Sequence, residues 1–567
     1  MKKFSRYAIG AALLIALFWW VARGSREPDI KDGSVLVIEL SGRYVDGPIP
    51  LLTRLRGENV QSLLGLTSEL RKAARDARLA GVVFRVRSLE LGWAQAEELR
   101  EAIRRLAEKG KRTLAVLEVE GFGNAPYYVA SAAERVAATP GGNAPFLGMA
   151  GEYLFFGGAL EKLGVDVEYE RVGEYKSAVE SYAESKMSEK NREQTNALVD
   201  SIEGRFVHQI AASRRRSEEQ VRLAIDSAPS APEELKEQGL IDEVLDFEAA
   251  VTALGEHERV EADVYARVSP EKVGFAPSTT FAIVHGVGAV VVGEGTFSNG
   301  SPVMASDTVA DALRDAAKDP NVKAIVLRLD SPGGSPLASD LIWQAIRDVQ
   351  KQGKPVVASL SDLAASGGYY VASAADVIVS QPQTLTGSIG VFVIRPSIGG
   401  LMEKLGIGVD SVTRGARADL LLSTVPLSAE TRAVLRDDVQ HTYDRFLGRV
   451  AEGRKLETAA VDKVGRGRVW TGEQALGIGL VDRLGGIPEA VLAAKEKLGI
   501  DAEADVLLVQ YPPPKPVAQQ LVEALQGGAA SLELLGWPTG ARELVAMLHA
   551  LPLGTPLLIG PGWVEIH

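Results

Sequence analysis

The chain has 567 residues, too many for one ordinary hydrophobic core, and its 46% hydrophobic, 24% charged composition excludes a disordered chain and a polytopic membrane protein. Asp and Glu (74) outnumber Lys and Arg (62), and the net charge of −12 argues against a general nucleic-acid binder. With no cysteine there is no disulfide framework, thiol nucleophile or thiolate metal site, and the six scattered histidines do not suggest a metal cluster or a His-based triad.

In chain order, Lys2, Lys3 and Arg6 precede an apolar run from Tyr7 to Ala22 that ends at Arg23. Sixteen helical residues span about 24 Å against about 30 Å of hydrocarbon, and the flanking cations can snorkel, so residues 1–30 are read as a spanning signal anchor. Cleavage is the alternative, but Arg23 directly after Val21-Ala22 makes a poor small-x-small site. The basic cluster before the span predicts that the remainder faces outward.

Beyond the anchor the chain repeats itself. Tyr127–Ala133 (YYVASAA) recurs as Tyr369–Ala375, and Glu161–Gly164 (EKLG) as Glu403–Gly406, both at a shift of 242. Leu70-Arg71 with Ala73-Ala74 recurs from Leu313, and Arg205-Phe206 recurs as Arg445-Phe446, in the same order. This is a duplication of a domain-sized unit. Val35–Leu40, Val82–Val86 and Leu114–Val119 read as strands, matched by Ile283–Val284, Ala324–Leu329 and Val356–Leu360. Helical periodicity lies between them, as in Leu99–Leu106 and Leu341–Val349, so the fold class is α/β with largely parallel pairing. The expected organisation is a first domain over 34–265, a Pro-bearing linker over 266–279, a second domain over 280–500 and an extension over 501–567 that opens near YPPPKP.

The copies differ where chemistry is expected. Asp330–Ser335 (DSPGGS) follows a strand and precedes a helix, whereas its counterpart Arg87–Gly92 lacks the paired glycines. Gly333 and Gly334 can aim backbone N–H groups at a developing oxyanion, or simply make a tight turn. Ser366, in Leu363–Tyr370 (LAASGGYY), stands opposite Asn124; it is either a nucleophile with the Gly367 N–H beside it or a helix N-cap. No histidine pattern offers a base. Lys176, in GEYKS, aligns with Ala418, so the first half keeps a lysine without the serine and the second a serine without the lysine. A desolvated lysine can take a serine proton, whereas a surface lysine does nothing. Ser269–Lys272 matches the S-x-x-K pattern but sits in the linker without its companion motifs, and no metal or cofactor motif is present.

DSPGGS, LAASGGYYVASAAD, LTGSIG (Leu385–Gly390) and GEYKS together resemble the bacterial signal peptide peptidase A family, peptidase family S49, in its long, duplicated form. The resemblance covers about residues 34–500 and the anchor. It implies two tandem α/β spiral domains of the caseinolytic-protease/crotonase type after a transmembrane helix. It also implies Ser366 as nucleophile, Lys176 as general base, Ser388 orienting the lysine, and Gly367, Gly333 and Gly334 as oxyanion donors. It further implies cleavage of hydrophobic peptides such as signal peptide remnants, a homotetramer on the bacterial inner membrane facing the periplasm, and no cofactor, metal or nucleic acid. A crotonase-like acyl-CoA enzyme and a catalytically decayed membrane scaffold are the competing expectations.

Overall fold

In the computed structural model the described residues are 27–49, 53, 57–121, 123–143, 146–254, 258–298, 301–513 and 558–559. Residues 1–26 of the expected 1–30 anchor and most of the tail lie outside them. No helix among the described residues is long and apolar enough to cross a membrane.

β-branched runs become the central strands of two sheets, because both sheet faces are covered and favour apolar side chains on either side. In the first half the order is Val60–Ser62, Ser34–Val45, Leu79–Glu90, Arg112–Leu117, Arg135–Ala138 and Glu243–Val244, all parallel, with Arg259–Glu261 beside Ser34–Val45. The second half repeats it with Thr279–Val287, Val322–Ser331, Val356–Ala365, Val377–Ser380 and Arg483–Leu484, again parallel. Val506–Tyr511 pairs with Thr279–Val287, so the second sheet extends past residue 500 into the tail. Helices with one apolar stripe cover the sheets; Leu63–Arg75 and Ser306–Lys318 correspond, as do the 26-residue helices Glu189–Arg214 and Ala429–Arg454. Pro270–Val273 of the linker forms a 3-10 turn, which leaves the S-x-x-K lysine, Lys272, exposed.

Many contacts join the halves, and these are among them. Asp166–Val172 of the first pairs antiparallel with Val391–Ser397 of the second, from Val172↔Val391 to Asp166↔Ser397. Arg328, fully buried in a central strand of the second half, forms 2.7 Å ion pairs with Asp46 and with Glu98 of the first. A charge there is tolerable because two carboxylates and the Ser359 and Ser361 hydroxyls satisfy it. Asp362 accepts from the amides of Ala94 (2.8 Å) and Gln95 (3.1 Å), capping helix Trp93–Glu108 across the boundary.

Candidate active site

The strand Val356–Ala365 ends at Ser366, where the chain turns into helix Gly367–Ala372. Ser366 holds φ +55° and ψ −116°, a left-handed backbone that a serine adopts only when its surroundings impose it. Its amide donates to Gly387 O at 2.8 Å and its carbonyl accepts from the Tyr370 amide at 2.8 Å. The side chain makes no capping bond to the helix, so the N-cap reading fails and the hydroxyl is left for another partner.

That partner is Lys176. Its Nζ lies 2.7 Å from Ser366 Oγ, 3.0 Å from Ser388 Oγ and 3.1 Å from Ser388 O. Ser366 is 0% and Lys176 1% exposed, so the surface-lysine reading fails as well. Burial pushes the lysine pKa well below its ordinary value. With the amine neutral, its two N–H groups can bond to Ser388 and its lone pair can accept the Ser366 hydroxyl proton. Ser388 is fixed in turn by its amide, which donates to Arg468 O at 2.7 Å, and by a φ of +52°.

The lysine reaches the serine within one chain. Strand Asp166–Val172 carries the loop Gly173–Ser177 over the second half through its pairing with Val391–Ser397. The Tyr175 amide donates to Arg466 O at 3.0 Å. Gly467 lies so close that a Cβ there would stand 2.4 Å from the Lys176 amide nitrogen, so no other residue fits without moving the lysine.

Gly333 and Gly334, at φ +98° and +156°, form a two-residue strand beside Val290 that also pairs antiparallel with Leu558–Ile559. A Cβ on Gly367 would meet Gly334 N at 3.0 Å and Ser339 Oγ at 2.7 Å, so the two glycine turns lie against each other next to Ser366. The structure thus brings together every residue expected from the sequence: Ser366, Lys176, Ser388, Gly367, Gly333 and Gly334. A cavity of about 970 Å³ lies between the halves, walled by Tyr44, Trp93, Phe297 and Leu385 among others; Ser366 and Lys176 do not line it. Among the described residues there is no group of His, Asp and Glu fit to hold a metal. Sequence reading overlooked Gly467, whose Gly465-Arg466-Gly467-Arg468 setting was the available signal, and Gln194, which gave none.

The model for peptidase family S49 matches residues 106–261 and 348–501. The chain is 32% identical over 514 residues to "Serine protease SPPA, chloroplastic" of Arabidopsis thaliana, covering 89% of this chain and 74% of that protein. It is equally 32% identical over 514 residues to "Protease 4" of Salmonella typhi, covering 85% and 81%. "Putative signal peptide peptidase SppA" of Enterococcus faecium is 34% identical over 199 residues, covering 35% of this chain and 57% of that protein.

Proposed function

This chain belongs to peptidase family S49 and is a serine protease, and from that premise we propose that Ser366 and Lys176 are its catalytic dyad, acting on apolar peptides. The 2.7 Å contact between a buried lysine and a serine on a left-handed turn carries the reading. Neutral Lys176 takes the proton of Ser366 as Oγ bonds to the peptide carbonyl carbon. The oxyanion that forms is held by the N–H of Gly367 and that of Gly334, while the Gly333 N–H donates to Ser331 Oγ at 3.2 Å and shapes the turn. As the C–N bond breaks, the lysine ammonium returns its proton to the leaving amine. A water then gives a proton to Lys176 and attacks the ester carbon, and as the Oγ–C bond breaks the ammonium returns that proton to Ser366 Oγ, releasing the carboxylic acid product and restoring the dyad. Ser388 holds the amine in register throughout without exchanging a proton.

The apolar walls of the cavity between the halves support an extended apolar peptide as substrate. The apolar run Tyr7–Ala22 supports attachment to a membrane, and the name borne by the Enterococcus relative supports cleaved signal peptides as the substrate class. Facing the periplasm of a bacterial inner membrane, and assembly as a homotetramer, follow from the same reading. Hydrolysis of a fluorogenic apolar peptide tests it. Ser366→Ala and Lys176→Ala should each lower kcat/KM by about 10⁴-fold or more with the fold intact. Full activity in Lys176→Ala would sink the dyad.

A further inference from the structure

Lys176 comes to Ser366 on a loop from the other half, so its distance from the serine depends on what fixes that loop against the second sheet. Within the first half the loop is tied by Arg171, which donates to Lys176 O at 3.1 Å and to Glu180 Oε1 at 2.9 Å. Buried Glu180 accepts in turn from Ser188 Oγ (2.7 Å) and Asn191 Nδ2 (3.1 Å).

Gln194 does something different. It is buried in the second turn of helix Glu189–Arg214, and its Nε2 donates to Tyr175 O at 3.2 Å and Ser177 Oγ at 2.8 Å, the two residues flanking the lysine. Its Oε1 accepts from the Val469 amide at 3.2 Å. Val469 is paired with Gly387, and Gly387 O accepts the Ser366 amide at 2.8 Å. One side-chain amide therefore spans the short path from the lysine loop to the strand that holds the serine.

We infer that Gln194 is a positioning residue that sets the approach of Lys176 to Ser366 across the two halves, an inference that rests on the dyad reading above. Only an amide suits the place, because the loop side needs donors and the Val469 side needs an acceptor. A glutamate keeps the shape and the acceptor but loses the donors, and its charge near the loop favours a protonated lysine. A leucine loses all three bonds.

The experiment compares the full-length protein with its Gln194→Glu and Gln194→Leu variants in three readouts: kcat and KM, the pH–rate profile, and hydrogen exchange of residues 173–178. Loosening the loop should lower kcat roughly 10- to 100-fold with KM nearly unchanged. The acid limb of the profile should move to higher pH, further in Gln194→Glu, as water reaches the amine. Exchange over 173–178 should quicken in both variants. A purely structural role would lower melting temperature without moving the pH profile, and that outcome overturns the inference, as does unchanged exchange over 173–178. Should Gln194→Leu fail to fold, the isosteric Gln194→Glu decides alone. Should Lys176→Ala prove fully active, the dyad reading falls, while hydrogen exchange still decides whether Gln194 holds the loop.

Discussion

Asn124 and Ser366 stand at corresponding strand-to-helix turns of the two halves, and the backbone treats them differently. Asn124 is right-handed (φ −82°, ψ −25°), with its side chain accepting from the Leu147 amide at 2.8 Å. Ser366 is left-handed, with its side chain directed to a lysine. The helix that follows is anchored alike in both: Tyr127 and Tyr369 each donate a hydroxyl to a backbone carbonyl, of Leu240 and Leu480 respectively, at 2.8 Å. Where the second half turns at Ser331 into Gly333–Gly334, the first continues its strand to Glu90, paired with Arg43. The helix N-terminus after that strand receives the Asp362 carboxylate of the other half, whose pKa burial and the Asp46 charge push up to about 7. The copy with Asn124 lacks the strained turn, and the amides of Ala94 and Gln95 at its helix N-terminus serve the interface. Strain of this kind persists where chemistry requires it.

The sharpest way to break the contrast, after removal of the dyad itself, is at the surface against which the lysine loop rests. Gly467→Ala places a methyl group 2.4 Å from the Lys176 amide nitrogen. A displacement near 1 Å there should cost about 100-fold in kcat/KM, measured on the apolar peptide, while circular dichroism stays native. Activity near the wild-type level would show that the loop's seat is not critical. At the other extreme, Asn124→Ser restores the missing hydroxyl to the first half. It should leave activity within about twofold, because that turn is right-handed and the position matching Lys176 in the other copy is Ala418. A second labelled serine, found by mass spectrometry after treatment with a serine-directed probe, would contradict the view that the first copy's turn has relaxed beyond use.

Much of this was legible before any coordinates. The YYVASAA repeat located the two turns, and the complementary loss of Ser at 124 and Lys at 418 singled out Ser366 and Lys176. What the sequence did not show is how the lysine crosses between halves. The pairing of Asp166–Val172 with Val391–Ser397 joins segments more than 200 residues apart, and the first of them, DVEYERV, lacks the β-branched signature of the central strands. Gly467 matters because its backbone comes to lie against Lys176, and Gln194 because its side chain bonds Tyr175, Ser177 and Val469; local pattern contains no trace of such distant contacts. Arg328 was visible as a charge inside the strand AIVLRL, but its meaning depended on Asp46 and Glu98, supplied by the other copy.

The central claim is that a neutral lysine from the first half activates a serine in the second. Its most direct test is the pH dependence of Ser366 acylation by a fluorophosphonate probe, in the wild-type protein and in Lys176→Met. Because burial lowers the lysine pKa, the neutral base is present above that depressed value and lost as pH falls through it. Acylation should therefore rise with pH through a midpoint well below 10.5, the ordinary lysine value, and both the rate and this dependence should vanish in Lys176→Met. An unchanged profile in Lys176→Met would contradict the account.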